Sequence, residues 1–421
     1  MRALIALSVC TVLAACGSGS DTVTVDEPVA VVPTDPTTPT QPANSVWQLN
    51  TNEQRSAHVP ETASGLGALV NVQSVTDTTV NGNSYTLVTS FGVPDYQVTI
   101  NQSVLDELTL RPRANTDFTG GSPLIDIGDT VAFGQDIGYV SNRNCGTDTG
   151  YGYWPPGPDC PTDDYREGYF PKQPQAGNSS CATGLGKVGL WVNGSSVYNW
   201  GDGMTYRNQG AWNNLAPIAE GYDVDICGGH AANGDYHHHF YSSCLADMVG
   251  DKADGHSPLY GFAADGYPIY GPWQASGVLA ISSWIARDYS ADTVTGCSDG
   301  ARSCALVDQY DVTKGTTTVS AGPAFTATVS TLSGNQLTAF NGYYLQDYYW
   351  DASLTSKGGA YLDQYNGHTD EERGYHYHVT VSRAADKLVP AFPYIIGLRF
   401  AGELHDSALA NCSTGSARPG S

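Results

Sequence analysis

Ten histidines punctuate this chain of 421 residues, and they are clustered rather than scattered. Three stand together as His237-His238-His239, with His230 before them and His256 after. Two more alternate with tyrosines in Gly374-Tyr375-His376-Tyr377-His378, with His368 upstream, while His58 and His405 lie apart. In a β-strand successive side chains point to opposite faces, so His376 and His378 share one face and Tyr375 and Tyr377 the other. The same alternation groups His237 with His239, and Tyr236 with His238. Residues two apart on a strand face lie about 6.5–7 Å apart at Cα, a span that two imidazoles close onto one metal ion. Two strands, each offering such a pair, are expected to converge on one four-imidazole site of His237, His239, His376 and His378, with His230 or His256 auxiliary. Imidazole-rich sites suit copper and zinc, and Cu(II) heads the affinity order of the divalent ions.

Two other chemistries share this residue pattern. A histidine base beside a tyrosine acid or oxyanion donor would serve a hydrolase or lyase acting on an extracellular substrate. A His-Tyr strand can also be a buried polar network and nothing more. His230 follows Gly228-Gly229, where the backbone is permissive, and reads equally as ligand or structural residue. Asp265-Gly266-Tyr267-Pro268 reads as a turn. Its carboxylate, with Tyr236, Tyr375 and Tyr377, also forms the candidate set that would orient ligands from behind. There is no Gly-x-Ser-x-Gly elbow, phosphate loop, His-Glu-x-x-His helix or EF-hand loop.

The elements that would position these histidines are strands. Asn-Gly pairs, which suit type I′ hairpin turns, recur at Asn81-Gly82, Asn193-Gly194, Asn233-Gly234, Asn341-Gly342 and Asn366-Gly367. Strand-like runs flank several of them, at residues 84–89, 188–192 and 342–346. Residues 142–182, rich in Gly, Pro, Asp and Cys, read as a long loop pinned by disulfides. Residues 279–286 suggest one short helix, and residues 104–110 are ambiguous. With 48 glycines, 26 tyrosines and no long helical periodicity, the expectation is a mainly β fold. We expect a single large, hairpin-rich, sandwich-like domain with long disulfide-pinned loops.

Several ordered motifs resemble the YHYH protein family. Tyr375-His376-Tyr377-His378 is its signature, and the run from Val188 to Gly194 is similar to its Asn-Gly segment. The stretches from Asp225 to His230 and from Gly234 to His239 look like its first histidine segment. The run His256 to Pro272 looks like its most recognisable stretch. Leu362-Asp363, Asn366-Gly367 and the run Pro393 to Gly397 complete the order. The resemblance covers about residues 185–400 and extends weakly to residues 91–95. His238 departs from it, standing where the family commonly has a second tyrosine. It faces away from the His237/His239 pair, so the pair is expected to survive. The resemblance implies kinship and a shared histidine framework rather than a known reaction.

The remaining chain speaks of address and redox state. Residues 1–15 have the layout of a secretory leader: one positive charge, a short apolar run, then Leu13-Ala14-Ala15-Cys16. That ending resembles the lipobox of bacterial lipoproteins, which implies a lipid on Cys16. Gly17 after it points to the outer membrane, so the expected place is the cell envelope, exported and lipid-anchored. Residues 16–45, rich in Pro, Thr, Ser and Gly, read as a disordered spacer. Residues 46–421 are expected to form the β-rich domain. The formal charge of −23 argues against nucleic acid as a partner. Beyond Cys10 and Cys16, eight cysteines form an even set, which in an exported chain suggests disulfides. No Cys-x-x-Cys occurs. Eight cysteines allow 105 pairings. Cys227–Cys244, Cys145–Cys160 and Cys297–Cys304 are the expected local pairs, which leaves Cys181–Cys412.

Overall fold

Asn81-Gly82 and Asn233-Gly234 turn the chain as their residue types ask. Asn81 and Gly82 adopt φ of 52° and 84°, Asn233 and Gly234 of 53° and 86°, the left-handed pairs that a type I′ hairpin requires. These turns belong to a computed structural model that describes residues 46–140, 152–153, 159–177, 181–385, 387–405, 409–410 and 412–413. The fold is mainly β. Among the described residues no helix is long and apolar enough to cross a membrane.

The centre is an eight-stranded sheet. Its strands are β1 (Lys187–Trp191), β2 (Ser196–Tyr198), β3 (Gly229–Ala232), β4 (Asp235–His238), β5 (Leu259–Ala263), β6 (Pro268–Tyr270), β7 (Gly367–Asp370) and β8 (Gly374–His378). They lie in the order β3-β4-β2-β1-β5-β6-β8-β7. All neighbours are antiparallel except β2 with β4 and β6 with β8, which are parallel. β1 is apolar at nearly every position, and Val188, Leu190 and Trp191 are buried. Such a run suits a strand covered on both faces.

The sheet consists of two copies of one unit. Each copy is a hairpin whose second strand runs parallel to the second strand of another hairpin: β1-β2 with β3-β4, and β5-β6 with β7-β8. The registers agree. Val197 pairs with His238 and Ile269 with Tyr377; His230 pairs with His237 and His368 with His376. Leu190 pairs with its own counterpart Phe262 where the copies meet. A single row therefore crosses one face of the sheet: His230, His237, Ser196, Leu190, Phe262, Pro268, His376, His368.

A three-stranded sheet of Val72–Val80, Asn83–Ser90 and Arg166–Pro171 packs over the middle of that row. The Phe170 ring lies 5.8 Å from Phe262, and Trp47 lies 5.6 Å from Phe170 and 5.4 Å from Phe262. Each fully buried aromatic of this kind contributes roughly 1.5–3 kcal/mol. Arg166 reaches under this layer to Ser196 and to Asp235 of β4.

Three disulfides join the expected partners: Cys181–Cys412, Cys227–Cys244 and Cys297–Cys304. Cys145 of the fourth expected pair lies outside the described residues, as do Cys16, the leader and the spacer; Cys160 is disulfide-bonded.

Local expectations fail where long-range partners win. Residues 279–286 form no helix. Val278–Leu279 and Trp284–Ala286 are strands, because Trp284 pairs with Trp350 and the Ser283 hydroxyl binds the Leu362 carbonyl at 2.5 Å. Residues 342–346 form no strand and lead into the 3-10 helix Leu345–Asp347, drawn in by the Asp347 carboxylate, which accepts from the Gly342 and Tyr344 amides at 3.0 Å each. Asn366-Gly367 is no hairpin tip. The Asn366 side chain donates to the His378 and Ile395 carbonyls at 2.9 and 3.0 Å and sets the start of β7. The stretch 142–182 contains the Arg166–Pro171 strand. The ambiguous stretch is a helix, Gln102–Thr109, capped by Asn101.

Candidate metal centres

The four histidines expected to converge do not meet. β4 and β8 are five strand spacings apart in the sheet, about 24 Å at ~4.8 Å per step. The sheet order keeps the copies side by side instead of folding one onto the other. Each His-x-His pair builds its own centre, completed by the histidine opposite it on the edge strand.

The first centre comprises His230, His237 and His239. His230 and His237 are cross-strand partners, and His239 follows two residues on along the same face. His237 Nδ1 donates to the Asp235 carbonyl at 2.8 Å, and His239 Nδ1 donates to the Asn199 carbonyl at 2.5 Å. A carbonyl oxygen only accepts, so both imidazoles carry the proton on Nδ1 and present a bare Nε2 lone pair. Those two Nε2 atoms face each other at 3.1 Å. Tyr198 stacks on His237, with ring centroids 3.6 Å apart and planes 12° apart, and fixes its plane. Glu220, at the end of the short helix Ala216–Ala219, brings Oε2 to 3.6 Å from His230 Nε2 and 3.4 Å from His239 Nε2. That oxygen is buried and has no hydrogen-bond partner.

The second centre repeats the first with His368, His376 and His378, and adds His256. His376 Nδ1 donates to the Gly374 carbonyl at 2.9 Å and His378 Nδ1 to the Gly271 carbonyl at 2.6 Å. Asp235 and Gly374, and Asn199 and Gly271, hold equivalent places in the two copies. His368 Nε2 stands 3.0 Å from His376 Nε2 and 3.2 Å from His378 Nε2. His256 Nδ1 donates to the Ser257 carbonyl at 2.8 Å, leaving a buried Nε2 without a partner. Tyr270 takes the place of Tyr198, with its ring 5.0 Å from that of His376. His256 and His368 are half-buried, and His256 lines an open groove with Trp47, Tyr270 and Arg373.

Burial keeps these rings neutral. Loss of hydration pushes His230 and His376 down to about 3 and His239 to about 4, and holds His237 and His378 well below the usual imidazole range. The same loss pushes the Glu220 carboxyl well above the usual range. Without a proton between them, facing lone pairs at 3.0–3.2 Å repel, and a cation between them removes the conflict. The spacing fits one. Tetrahedral bonds of ~2.0–2.1 Å to nitrogen put donor atoms about 3.3–3.4 Å apart.

The expected supporting residues stand elsewhere. Asp265 touches no histidine; it accepts from the Tyr377 hydroxyl at 2.6 Å and the Gly402 amide at 2.8 Å. Tyr236 donates to Asp225 at 2.8 Å and Tyr375 to Asp363 at 3.0 Å, on the face away from both clusters. Backbone carbonyls and the rings of Tyr198 and Tyr270 orient the histidines instead. His238 lies on the opposite face from His237 and His239, as the alternation predicts, and packs near Tyr96 and Trp191. Sequence reasoning noticed His368 but left it out of the ligand set. The Gly-His step shared by Gly229-His230 and Gly367-His368 was the signal that could have found it. For Glu220 no sequence signal exists, because it arrives from outside the repeated unit.

The family model described as YHYH protein matches residues 167–383, just over half of the chain and all eight strands of the sheet. No curated protein and no solved structure matches the chain.

Proposed function

The chain belongs to the YHYH protein family, and on that footing we propose that it is a metal-binding protein of the cell envelope, taking copper or zinc at each of two histidine centres. The ligands are His230, His237 and His239 in one centre and His256, His368, His376 and His378 in the other. One observation carries the reading. In both centres imidazoles, buried apart from the half-buried His368, donate from Nδ1 to backbone carbonyls, His368 to that of Gly359 at 3.3 Å, and aim bare Nε2 atoms at one another at 3.0–3.2 Å. A hydrogen-bond partner that fixes the tautomer on one ring nitrogen and leaves the other free is the usual setting of a metal-bound histidine. Export and a lipid on Cys16, proposed from the leader, would hold these centres outside the cytoplasm on the outer membrane.

Metal analysis of the full chain purified from the envelope fraction tests this. Two equivalents of copper or zinc are expected. Removing them with a chelator should lower the melting temperature, since an ion held at 100 times its dissociation constant adds about 2.7 kcal/mol. A folded protein that carries no metal and gains no stability from added copper or zinc overturns the proposal and returns the clusters to a His-dependent enzyme.

A further inference from the structure

The two centres match in three positions and differ in the fourth. His256 lies four residues before Tyr260. The equivalent place before Val188 in the other copy is Gly184, which has no side chain to offer. The first centre nevertheless has a fourth group, and it comes from a different element. Glu220 closes the one-turn helix Ala216–Ala219 and directs Oε2 at His230 and His239.

The contacts of that oxygen do not balance as they stand. Its neighbours are His230 and His239; His239 spends its Nδ1 proton on the Asn199 carbonyl, as His237 beside it does on that of Asp235. The Nε2 atoms of His237 and His239 are acceptors, and so is a carboxylate once ionised. His237 Nε2 and His239 Nε2 face each other at 3.1 Å, and Glu220 Oε2 stands 3.4 Å from His239 Nε2 and 3.6 Å from His230 Nε2 with no hydrogen-bond partner of its own. These separations bracket the edge of a tetrahedron built on bonds of ~2.0–2.2 Å to nitrogen and oxygen.

Resting on the metal reading above, we infer that Glu220 is the fourth ligand of the first centre, which is thereby a closed three-histidine, one-carboxylate site for a divalent cation of the zinc type. The second centre is all imidazole. The consequence is unequal preference. A carboxylate cancels one unit of a buried double charge, which four neutral imidazoles cannot do, and it shifts the donor set from purely nitrogen towards oxygen. In the first centre all three histidines and the Glu220 Oε2 atom are buried, although the rest of Glu220 is half-buried, whereas His256 and His368 of the second are half-buried beside a groove. The first is therefore the slowly exchanging centre and the second the exchangeable one.

The test strips the full chain with a chelator and titrates it with Co(II) and then Zn(II), following the visible absorption of four-coordinate cobalt and the bound stoichiometry. The wild type is expected to take two ions. Glu220→Gln, almost the same shape, should weaken one of the two by at least about tenfold, the scale on which even outlying partners of metal ligands act. Glu220→Asp, with its oxygen drawn back by one methylene, should fall between. His256→Gln should weaken the other ion alone. Melting of the stripped proteins serves as the folding control: metal-free Glu220→Gln should melt no lower than metal-free wild type, because it removes an unpartnered buried oxygen. Metal-loaded Glu220→Gln should melt below metal-loaded wild type. Two ions bound to Glu220→Gln as tightly as to wild type would overturn the role of Glu220 and leave the metal reading standing. A wild type that binds no ion removes both.

Discussion

Asp225 and Asp363 do the same work at opposite ends of the sheet. Asp225 accepts the Tyr236 hydroxyl at 2.8 Å and the Gly229 amide at 3.0 Å; Asp363 accepts the Tyr375 hydroxyl at 3.0 Å and the Gly367 amide at 3.1 Å. Each ties the start of an edge strand to a tyrosine on the strand beside it. That bond sets the register in which Gly229-His230 and Gly367-His368 face His237 and His376. The close approach is possible because both edge positions are glycine: a Cβ at Gly229 would stand 2.4 Å from the Tyr236 oxygen, and one at Gly367 2.5 Å from the Tyr375 oxygen. The two carboxylates thus position the ligand pairs without touching them.

Two separated centres make a simple prediction about stoichiometry. His237→Ala should lower the metal content from two ions to one, and His378→Ala should do the same at the other end. The double variant should bind none, and its loss of metal-dependent stability should equal the sum of the single losses to within about 0.5 kcal/mol, as for sites more than 7–10 Å apart. Thermal unfolding with chelator and with metal measures this. A single substitution that abolishes both ions would restore the one-site arrangement.

Tyr377→Phe separates the two faces of β8. The Tyr377 hydroxyl donates to Asp265 at 2.6 Å and accepts from the Ala401 amide at 2.7 Å. Its removal leaves buried partners short of a bond, and a loss of about 1–3 kcal/mol is expected. Metal content should be unchanged, because His376 and His378 lie on the other face. Denaturant unfolding and metal analysis of one preparation check both halves.

How much of this was legible depended on distance along the chain. Strand alternation placed His376 and His378 on one face and Tyr375 and Tyr377 on the other, because that rule is local. The Cys227–Cys244 bridge was legible for the same reason. The order of strands was not. Nothing in His237-His238-His239 says that Ser196 and not Gly374 lies beside it, so one convergent site and two separate ones read alike. Asp265 read as a turn residue whose carboxylate could also orient a histidine. Its true partner, Tyr377, is 112 residues away. Glu220 carried no periodic signal at all.

Reduction of Cys227–Cys244 should act on the first centre. The bridge spans 17 residues and holds the segment that leads into His230. Closing a loop of that size contributes about 3 kcal/mol in the chain-entropy account. Cys227→Ser/Cys244→Ser is expected to lose about that much stability and to release the ion of the first centre before that of the second. Competition with a chelator during unfolding would show the order, and release of the second ion first would contradict the assignment.

The proposed anchor has its own test. Cys16→Ser should stop lipid attachment and move the protein from the membrane pellet to the soluble fraction of the envelope, with its metal content intact. A variant that still sediments with membranes would place the tether elsewhere.

One neighbouring pair of positions differs between the two copies in both of its members. Asp265 and Tyr377 in one copy correspond to Asn193 and His238 in the other. Asp265 and Tyr377 share a hydrogen bond of 2.6 Å. Asn193 and His238 share none, and Asn193 Nδ2 and His238 Nδ1 are buried without partners. Asn193→Asp with His238→Tyr should therefore be more stable than the two single changes predict, by a coupling on the order of 0.5–3 kcal/mol. Acid sensitivity should change too. Burial pushes His238 down to about 3 from its ordinary 6.5. Between those values the unfolded chain takes up a proton at this position and the folded one does not. His238 therefore costs stability as pH falls, by up to about 1.4 kcal/mol per pH unit. The other buried histidines impose the same trend on wild type and variant, so the difference between their melting curves isolates His238. In chelator, the gap between His238→Tyr and wild type should widen in favour of the variant as pH falls from 6.5 towards 4. Parallel curves across that window would mean that His238 takes up its proton in the folded protein, and that its surroundings are wetter than its burial implies.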